Sequence, residues 1–490
     1  MIRSNSGVRK NASSILLSLL AIAIFGAALS GCGSSMQMMN PPPPVGNTQV
    51  ALLLTSTAND QLVRFDIFIS SIALTNNAGK SITVFTSANQ SGTQVEWIHL
   101  NGASEPLPTV SLPQGIYTSA TVTAADCSFT NVTFVNSSIT TSIFDEGLCG
   151  QGTGTTTVNF PSPITVAGSA MALSLDLQVS QSFTLTSASP AIYTISPTFN
   201  LTPVSIAAQP TDETNGKVIG VAGQVMSLDM NGNSFTAQTP DGFLLTLSTN
   251  ANTTFQGIAA FSSLATNQLA YFDAAIQPDG SLLATRVEVD DPTSTGAIIG
   301  FFSDPQPRSG FVTLNLQLDG CSISGTPFCG VVYQFDNTTV FNISQQLSNV
   351  ASLPFPASFG GTTLLLGQYL SVFTPGTFTQ NLENVSTITL EPQTLNGTVT
   401  GVSNEAGFTV YTVTLAPYDL IPVLQNLTSD TPPPNLMNPL TVLVYADSST
   451  RMLNSGAVAA GSLIRFRGLI FDDNATLRMD ASEIYDGVTE

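Results

Sequence analysis

The chain reads for most of its length as short alternations of apolar and polar residues. Val63, Phe65, Ile67 and Ile69 alternate with Arg64, Asp66 and Phe68; Met171, Leu173, Leu175, Leu177 and Val179 alternate with Ala172, Ser174, Asp176 and Gln178. A period of two gathers the apolar set on one face of a strand, whereas a helix would scatter it around its axis. The pattern predicts half-buried strands over both stretches. Turn chemistry separates such runs at short spacing, at Asn76-Asn77-Ala78-Gly79, Pro113-Gln114-Gly115 and Ala167-Gly168, as expected of a β-sandwich. Windows of good helix formers with caps are nearly absent, so the expected fold class is all-β.

Beyond a polar linker, Ala207 to Asn215, the chain repeats itself. Three segments share a glycine-containing opening strand, a strand ending in a Thr-rich tip, a Gly- or Asn-led strand and a closing strand. The openings are Val218-Ile219-Gly220-Val221, Ala297-Ile298-Ile299-Gly300 and Val399-Thr400-Gly401-Val402. The tips are Asn252-Thr253-Thr254, Asn337-Thr338-Thr339 and Ser448-Ser449-Thr450, and the later strands start at Asn267, Gly367 and Gly461. About five strands per unit, with glycine where a strand must bend, predict three small OB-like β-barrels. A chain of 490 residues is too long for one core. It divides into a leader at 1–31, a spacer at 32–48, a β-sandwich at 49–205, and barrels at 216–292, 295–392 and 395–488, strung behind the leader.

The leader has its own pattern. Arg3, Arg9 and Lys10 precede an apolar run from Ile15 to Leu29, as in a secretory signal peptide. That run is shorter than the roughly 20 apolar residues a membrane-spanning helix needs. It ends in Leu29-Ser30-Gly31-Cys32, which resembles the bacterial lipoprotein cleavage signal. The resemblance implies cleavage before Cys32 and acylation of that residue, the anchor that would hold the protein to a membrane. Gly33 in place of an aspartate implies sorting to the outer membrane. The run Pro41 to Pro44 predicts an extended spacer behind the anchor.

Composition narrows the partners. Charged residues are only 9% of the chain. Removing residues 1–31, which hold three basic and no acidic side chains, leaves 9 basic against 32 acidic groups, a net charge of −23. That field repels nucleic acid and anionic lipid. Setting Cys32 aside leaves four cysteines, an even number suited to an oxidising compartment. Proximity favours Cys127 with Cys149 and Cys321 with Cys329 over the other two connectivities; buried free thiols are the alternative. The spacings do not fit zinc.

No constellation for catalysis emerges. His99, beside Trp97 in a strand-like stretch from Val95 to Leu100, is the single histidine, and no Gly-x-Ser-x-Gly elbow accompanies it. Glu96, Glu105, Asp145 and Glu146 are the carboxylates of the first domain from which a glycosidase pair would have to be drawn. Asp290-Asp291 and Asp472-Asp473 read as solvated turn residues. Asp229-Met230-Asn231-Gly232-Asn233 has its glycine too early for a calcium loop and reads as a hairpin turn. Gly150-Gln151-Gly152-Thr153-Gly154 leads into a strand, where phosphate cradling needs a helix amino terminus. No metal or cofactor is expected.

Two family resemblances complete the reading. Ser56-Thr57-Ala58-Asn59-Asp60-Gln61, the run Phe65 to Leu74, Ile98-His99-Leu100 and the run Leu112 to Ala120 together resemble the domain-of-unknown-function family numbered 4382. That resemblance implies an immunoglobulin- or transthyretin-like sandwich in a lipoprotein. The three repeats resemble the family numbered 5666. Together with the anchor they lead to an expected function: a non-enzymatic cell-envelope lipoprotein whose β domains bind or scaffold, with an envelope polysaccharide or surface protein as partner. The alternative is a polysaccharide-acting hydrolase using the sandwich carboxylates.

Overall fold

The computed structural model describes residues 46–490 except 58–61, 89–91, 136–137, 144–153, 189–190, 240–241, 295, 303–310, 316–329, 348–349, 376–382, 417–418, 420, 423–439, 454–456, 474–475 and 487–490. The chain is all-β.

The first module is a pair of sheets. In one, strand Asn47–Ser56 runs parallel to Ala170–Leu177 and antiparallel to Glu105–Pro106 and Val110–Pro113, and Phe199–Val204 extends the edge. The other is built on the long antiparallel pair Leu62–Asn76 and Gly115–Val135. Leu52, Leu54, Phe65, Ile67, Val122, Leu173 and Leu175 belong to one buried core. Apolar positions of the alternation that marked these strands, Phe65, Ile67 and Ile69 in one and Leu173, Leu175 and Leu177 in the other, are buried, and Asp66 and Ala172 of the intervening set are buried as well. The turns fall at the marked glycines: Gly79 and Gly168 take φ of 77° and 78°, a region that favours glycine.

Three details differ from the sequence reading. The first strand starts at Asn47, inside the stretch read as spacer. The alternation through Val179 continues in burial but not in backbone: the strand stops at Leu177, and Val179–Gln181 is a 3-10 turn whose Val179 N–H donates to Thr57 Oγ1 at 2.8 Å. Around His99 the strand ends at Glu96 and Ile98–Leu100 is a 3-10 turn. Glu96 Oε1 accepts the Phe65 and Ile98 N–H groups at 2.9 and 3.1 Å, which pulls the chain out of the ladder there.

The barrels share one topology. In the first, the strands are Lys217–Asp229, Ser234–Gln238, Leu244–Ser248, Leu269–Ile276 and Leu282–Glu288. The first pairs with the second and fourth, the second with the third, and the fourth with the fifth; a parallel third-to-fifth pairing closes the barrel. The third barrel repeats every one of these pairings with Gln393–Glu405, Phe408–Leu415, Thr441–Ala446, Leu463–Asp473 and Thr476–Tyr485. The second does so with Gly296–Phe302, Phe311–Asn315, Gly330–Gln334 and Tyr369–Thr374, its fifth strand divided into Glu383–Asn384 and Thr387–Leu390. Closure of this kind leaves no free edge and is the OB arrangement.

Hydrogen bonds place the repeats in a register different from the sequence alignment. Val225, Phe302 and Val399 are equivalent, since each N–H donates to Gln268, Gln368 or Ser462 O, at 2.8, 2.8 and 2.9 Å. Each carbonyl in turn accepts the N–H of Asn267, Gly367 or Gly461 at 2.7 Å. Those three residues have φ of 70°, 89° and 94°, which is why the fourth strand is led by glycine or asparagine. Two residues before each equivalent position stands Gly223, Gly300 or Gly397. A Cβ on Gly223 would lie 2.9 Å from Ala237 Cβ, and one on Gly397 2.4 Å from Thr414 O. In the first and third barrels the required glycine is therefore this one, and Gly220 and Gly401 of the aligned openings are not its counterparts.

The tips need the same correction. Thr253, Thr339 and Thr450 each donate Oγ1 to a carbonyl of the fifth-strand segment, at Ala284, Val385 and Ala481, over 2.7, 2.9 and 2.8 Å. Each also accepts the N–H three residues back, from Asn250, Asp336 and Asp447. The tip read as Asn252-Thr253-Thr254 is thus one residue out of step with the other two. Thr253→Val, which leaves two backbone groups without their partner, is expected to destabilise the first barrel by about 1–2 kcal/mol. Chemical denaturation compared with the wild type measures it.

The modules are not strung out. Residues Val45–Glu490 form one compact unit, and the sandwich and first barrel share a single apolar cluster. Phe85 meets Phe243 edge-on at 5.5 Å, while Ser104 Oγ donates to Lys217 O at 3.2 Å. The stretch read as a linker is built as well: Asp212 caps the 3-10 turn Glu213–Asn215 in a capping box. Glu213 then pairs with Arg451 of the third barrel at 2.7 Å.

Candidate functional site

The residues singled out in the sequence are not brought together. Cys32, Cys149, Cys321 and Cys329 lie outside the described residues, as do Asp145 and Glu146. Cys127 sits in strand Gly115–Val135 with its backbone opposite Ile67. Glu96 is occupied by the two backbone amides already named, and Glu105 lies buried in strand Glu105–Pro106, opposite Leu54. Asp229 Oδ1 accepts the Asn231 and Gly232 N–H groups at 3.0 Å and closes a hairpin. Asp473 pairs with Arg478 at 2.8 Å. Among the described residues no group of three or more His, Cys, Asp or Glu is arranged to hold a metal ion. No helix there is long and apolar enough to cross a membrane.

Asp290 and Asp291 require a correction, because neither is a solvated turn residue. They follow the fifth strand of the first barrel into its junction with the second, where ionisable groups concentrate. Glu288, 1% exposed, accepts the Gln345 N–H at 2.6 Å and the Ser344 hydroxyl at 3.5 Å through Oε1. Its Oε2 accepts Arg286 Nη1 at 2.8 Å. Arg286 grips Asp273 with Nε and Nη2, both at 3.0 Å, in a bidentate pair. Asp291 Oδ2 accepts the hydroxyls of Ser386 and Thr387 at 2.7 and 2.8 Å. Burial works to raise Asp291, but the hydrogen bonds from Thr293, Ser386 and Thr387 outweigh it and hold the carboxyl below its ordinary value.

The centre of the junction is Asp290 against Glu391, the residue after Thr387–Leu390. Glu391 is fully buried, with Oε2 accepting Gln346 Nε2 at 3.1 Å. Asp290 hydrogen-bonds both Glu288 and Glu391 through its side chain. Burial first, and the charges of Glu391 and Glu288 second, push Asp290 far above the usual carboxylate range. Burial followed by the charge of Glu288 pushes Glu391 up as well. Nearby, the hydroxyls of Tyr271 and Ser371 meet at 2.7 Å across the two barrels.

A second polar junction ties the first module to the last. Arg451 donates to Gly102 O at 2.9 Å and to Glu483 at 2.8 Å, besides its bond to Glu213. Gly102, with φ 74°, has no room for a side chain: a Cβ would lie 2.2 Å from Leu453 Cδ1. In both junctions charged groups bond across modules, Glu288 to Ser344 and Gln345 and Arg451 to Glu213 and Gly102. What this arrangement does is hold modules in fixed relation.

Sequence reasoning passed over Glu288, Glu391, Arg286 and Arg451. The one available signal was Arg286 and Glu288 at i and i+2 in a closing strand, charges on one face of an element whose neighbours are apolar.

No family model matches the chain, and no curated protein is similar to it. Among solved structures, a copper(II)-bound variant of CusF from Escherichia coli aligns over 18% of this chain and 100% of its own, at 17% identity with a TM-score of 0.13. At that score the likeness carries no argument.

Proposed function

We propose that the protein is a lipid-anchored lipoprotein of the cell envelope, in the outer membrane, whose four β modules act together as one binding or scaffolding body. Acylation at Cys32 would supply the tether, and Leu29-Ser30-Gly31-Cys32 behind a short apolar run supports it. The observation that carries the scaffolding role is Arg451, which bonds the sandwich at Gly102, the connecting segment at Glu213 and its own barrel at Glu483. A body cross-tied over such sequence distances offers fixed surfaces to a partner, where an enzyme more often needs a cleft that can close. The partner classes are an envelope polysaccharide and another surface protein. Kinship with families 4382 and 5666 belongs to the same proposal.

Cys32→Ser tests the tether. The variant is expected to lose labelling by radioactive palmitate and to move from the membrane fraction to the soluble one. Unchanged partition and processed mass would remove the anchor. Glycan arrays and pull-downs with the intact body test the binding role, and silence across both classes would remove it.

A further inference from the structure

We propose that the junction between the first and second barrels is closed by a proton that Asp290 holds and shares with Glu391 and Glu288, so that it loosens as the surroundings turn alkaline. The inference stands apart from the anchor and from any partner, because it rests on the junction alone.

Ser344 and Gln345 bond Glu288 while Gln346 bonds Glu391, so one short segment of the second barrel brings the two glutamates to one place. Asp290 hydrogen-bonds Glu288 of its own barrel and Glu391 of the next, yet ionised carboxylates only accept. Asp290 Oδ2 and Glu391 Oε1 are buried and receive no N–H donor; the Ser371 and Ser344 hydroxyls serve Glu391, whereas Asp290 has only the two glutamates. One of the three carboxyls must therefore be a carboxylic acid, and Asp290, flanked by both glutamates, is placed to donate.

The groups packed around it do not supply a substitute. On the same strand Arg286 is taken up by Asp273 and Glu288. Strand Leu269–Ile276 contributes Tyr271, whose hydroxyl is engaged with Ser371, and Asp273 itself. The second barrel contributes Tyr369, whose charge would act on Tyr271, and the Gln346 amide on Glu391. Asp291 faces Ser386 and Thr387. With burial and like charge both favouring the neutral acid, the closed junction binds a proton that the open one releases. Closure is then fully favoured at pH values below the ordinary carboxyl value and is lost progressively as pH rises from there towards the raised one. The closed-to-open ratio should fall by about tenfold per pH unit for each proton released.

Amide hydrogen exchange of the full chain reads this directly, because the Gln345 N–H closes on Glu288 across the junction. After correction for the intrinsic exchange rate, Gln345 in the wild type is expected to lose at least about tenfold in protection between about pH 5 and about pH 9. Asp290→Asn keeps a donor but cannot ionise, and should flatten that dependence. Wild-type protection that does not change with pH, or an unchanged slope in the variant, would overturn the proposal. Should Asp290→Asn not fold, a carbon-13 titration of the wild-type carboxyls decides. A carboxyl that stays protonated past neutrality supports the shared proton, and its absence refutes it.

Discussion

Phe355→Ala is expected to destabilise the protein by about 3–5 kcal/mol and to free the third barrel from the second. Phe355 comes from the connection between Val340–Ile343 and Tyr369–Thr374 of the second barrel, yet its environment belongs to the third. Its ring lies 4.9 Å from Tyr445 and 5.8 Å edge-on from Phe471, with the Arg478 guanidinium 5.3 Å above it. It is 6% exposed, within a cluster that includes Phe408, Val410 and Leu469. Truncation removes the buried ring, the aromatic pairings and the cation's partner at once, and the rigid strands on either side cannot collapse into the gap. Denaturant unfolding should show the third barrel separating as an earlier transition. A loss below about 1 kcal/mol would mean that the contact merely fills space.

Arg286→Ala is the second large effect, expected at about 3–5 kcal/mol because it strands charge rather than removes surface. The Arg286 side chain is 13% exposed and Asp273 is 16% exposed, while Glu288 is nearly sealed at 2%. Without the guanidinium, Asp273 loses a bidentate partner and Glu288 keeps the Gln345 amide, the Ser344 hydroxyl and the Asp290 carboxyl but no cation. The residual charge would add to the repulsion already acting on Asp290 and Glu391. Comparing thermal midpoints of variant and wild type measures the loss. A double-mutant cycle with Asp273→Asn separates the bidentate pair from the contact to Glu288. A near-zero coupling would show that Arg286 serves Glu288 alone.

Both effects arise at module junctions, where sequence reasoning is weakest. The strands were legible because alternation such as Leu173, Leu175 and Leu177 follows from the strand's own period of two, a local matter. The three barrels were legible because their Gly- or Asn-led fourth strands repeat a backbone requirement, positive φ at Asn267, Gly367 and Gly461. The register within each repeat was not. Several glycines per opening strand compete for alignment, and only the close approach of Ala237 to Gly223 or Thr414 to Gly397 singles out the necessary one. Asp290-Asp291 misled for a related reason. A carboxylate doublet after a strand is usually solvated, and nothing nearby in the chain announces that Glu391, a hundred residues on, will cover it.

The sequence by itself determined the strand content, the sandwich followed by three closed repeats, and the expectation of a tether at Cys32, because each depends on periodicity or on a few adjacent residues. Only the tertiary structure decided that the modules form one packed body, that Arg451 reaches back 349 residues to Gly102, and that three carboxyls meet between two barrels. The solvation of a charged group, and with it its protonation, is set by whatever packs over it, and here that partner comes from a distant module.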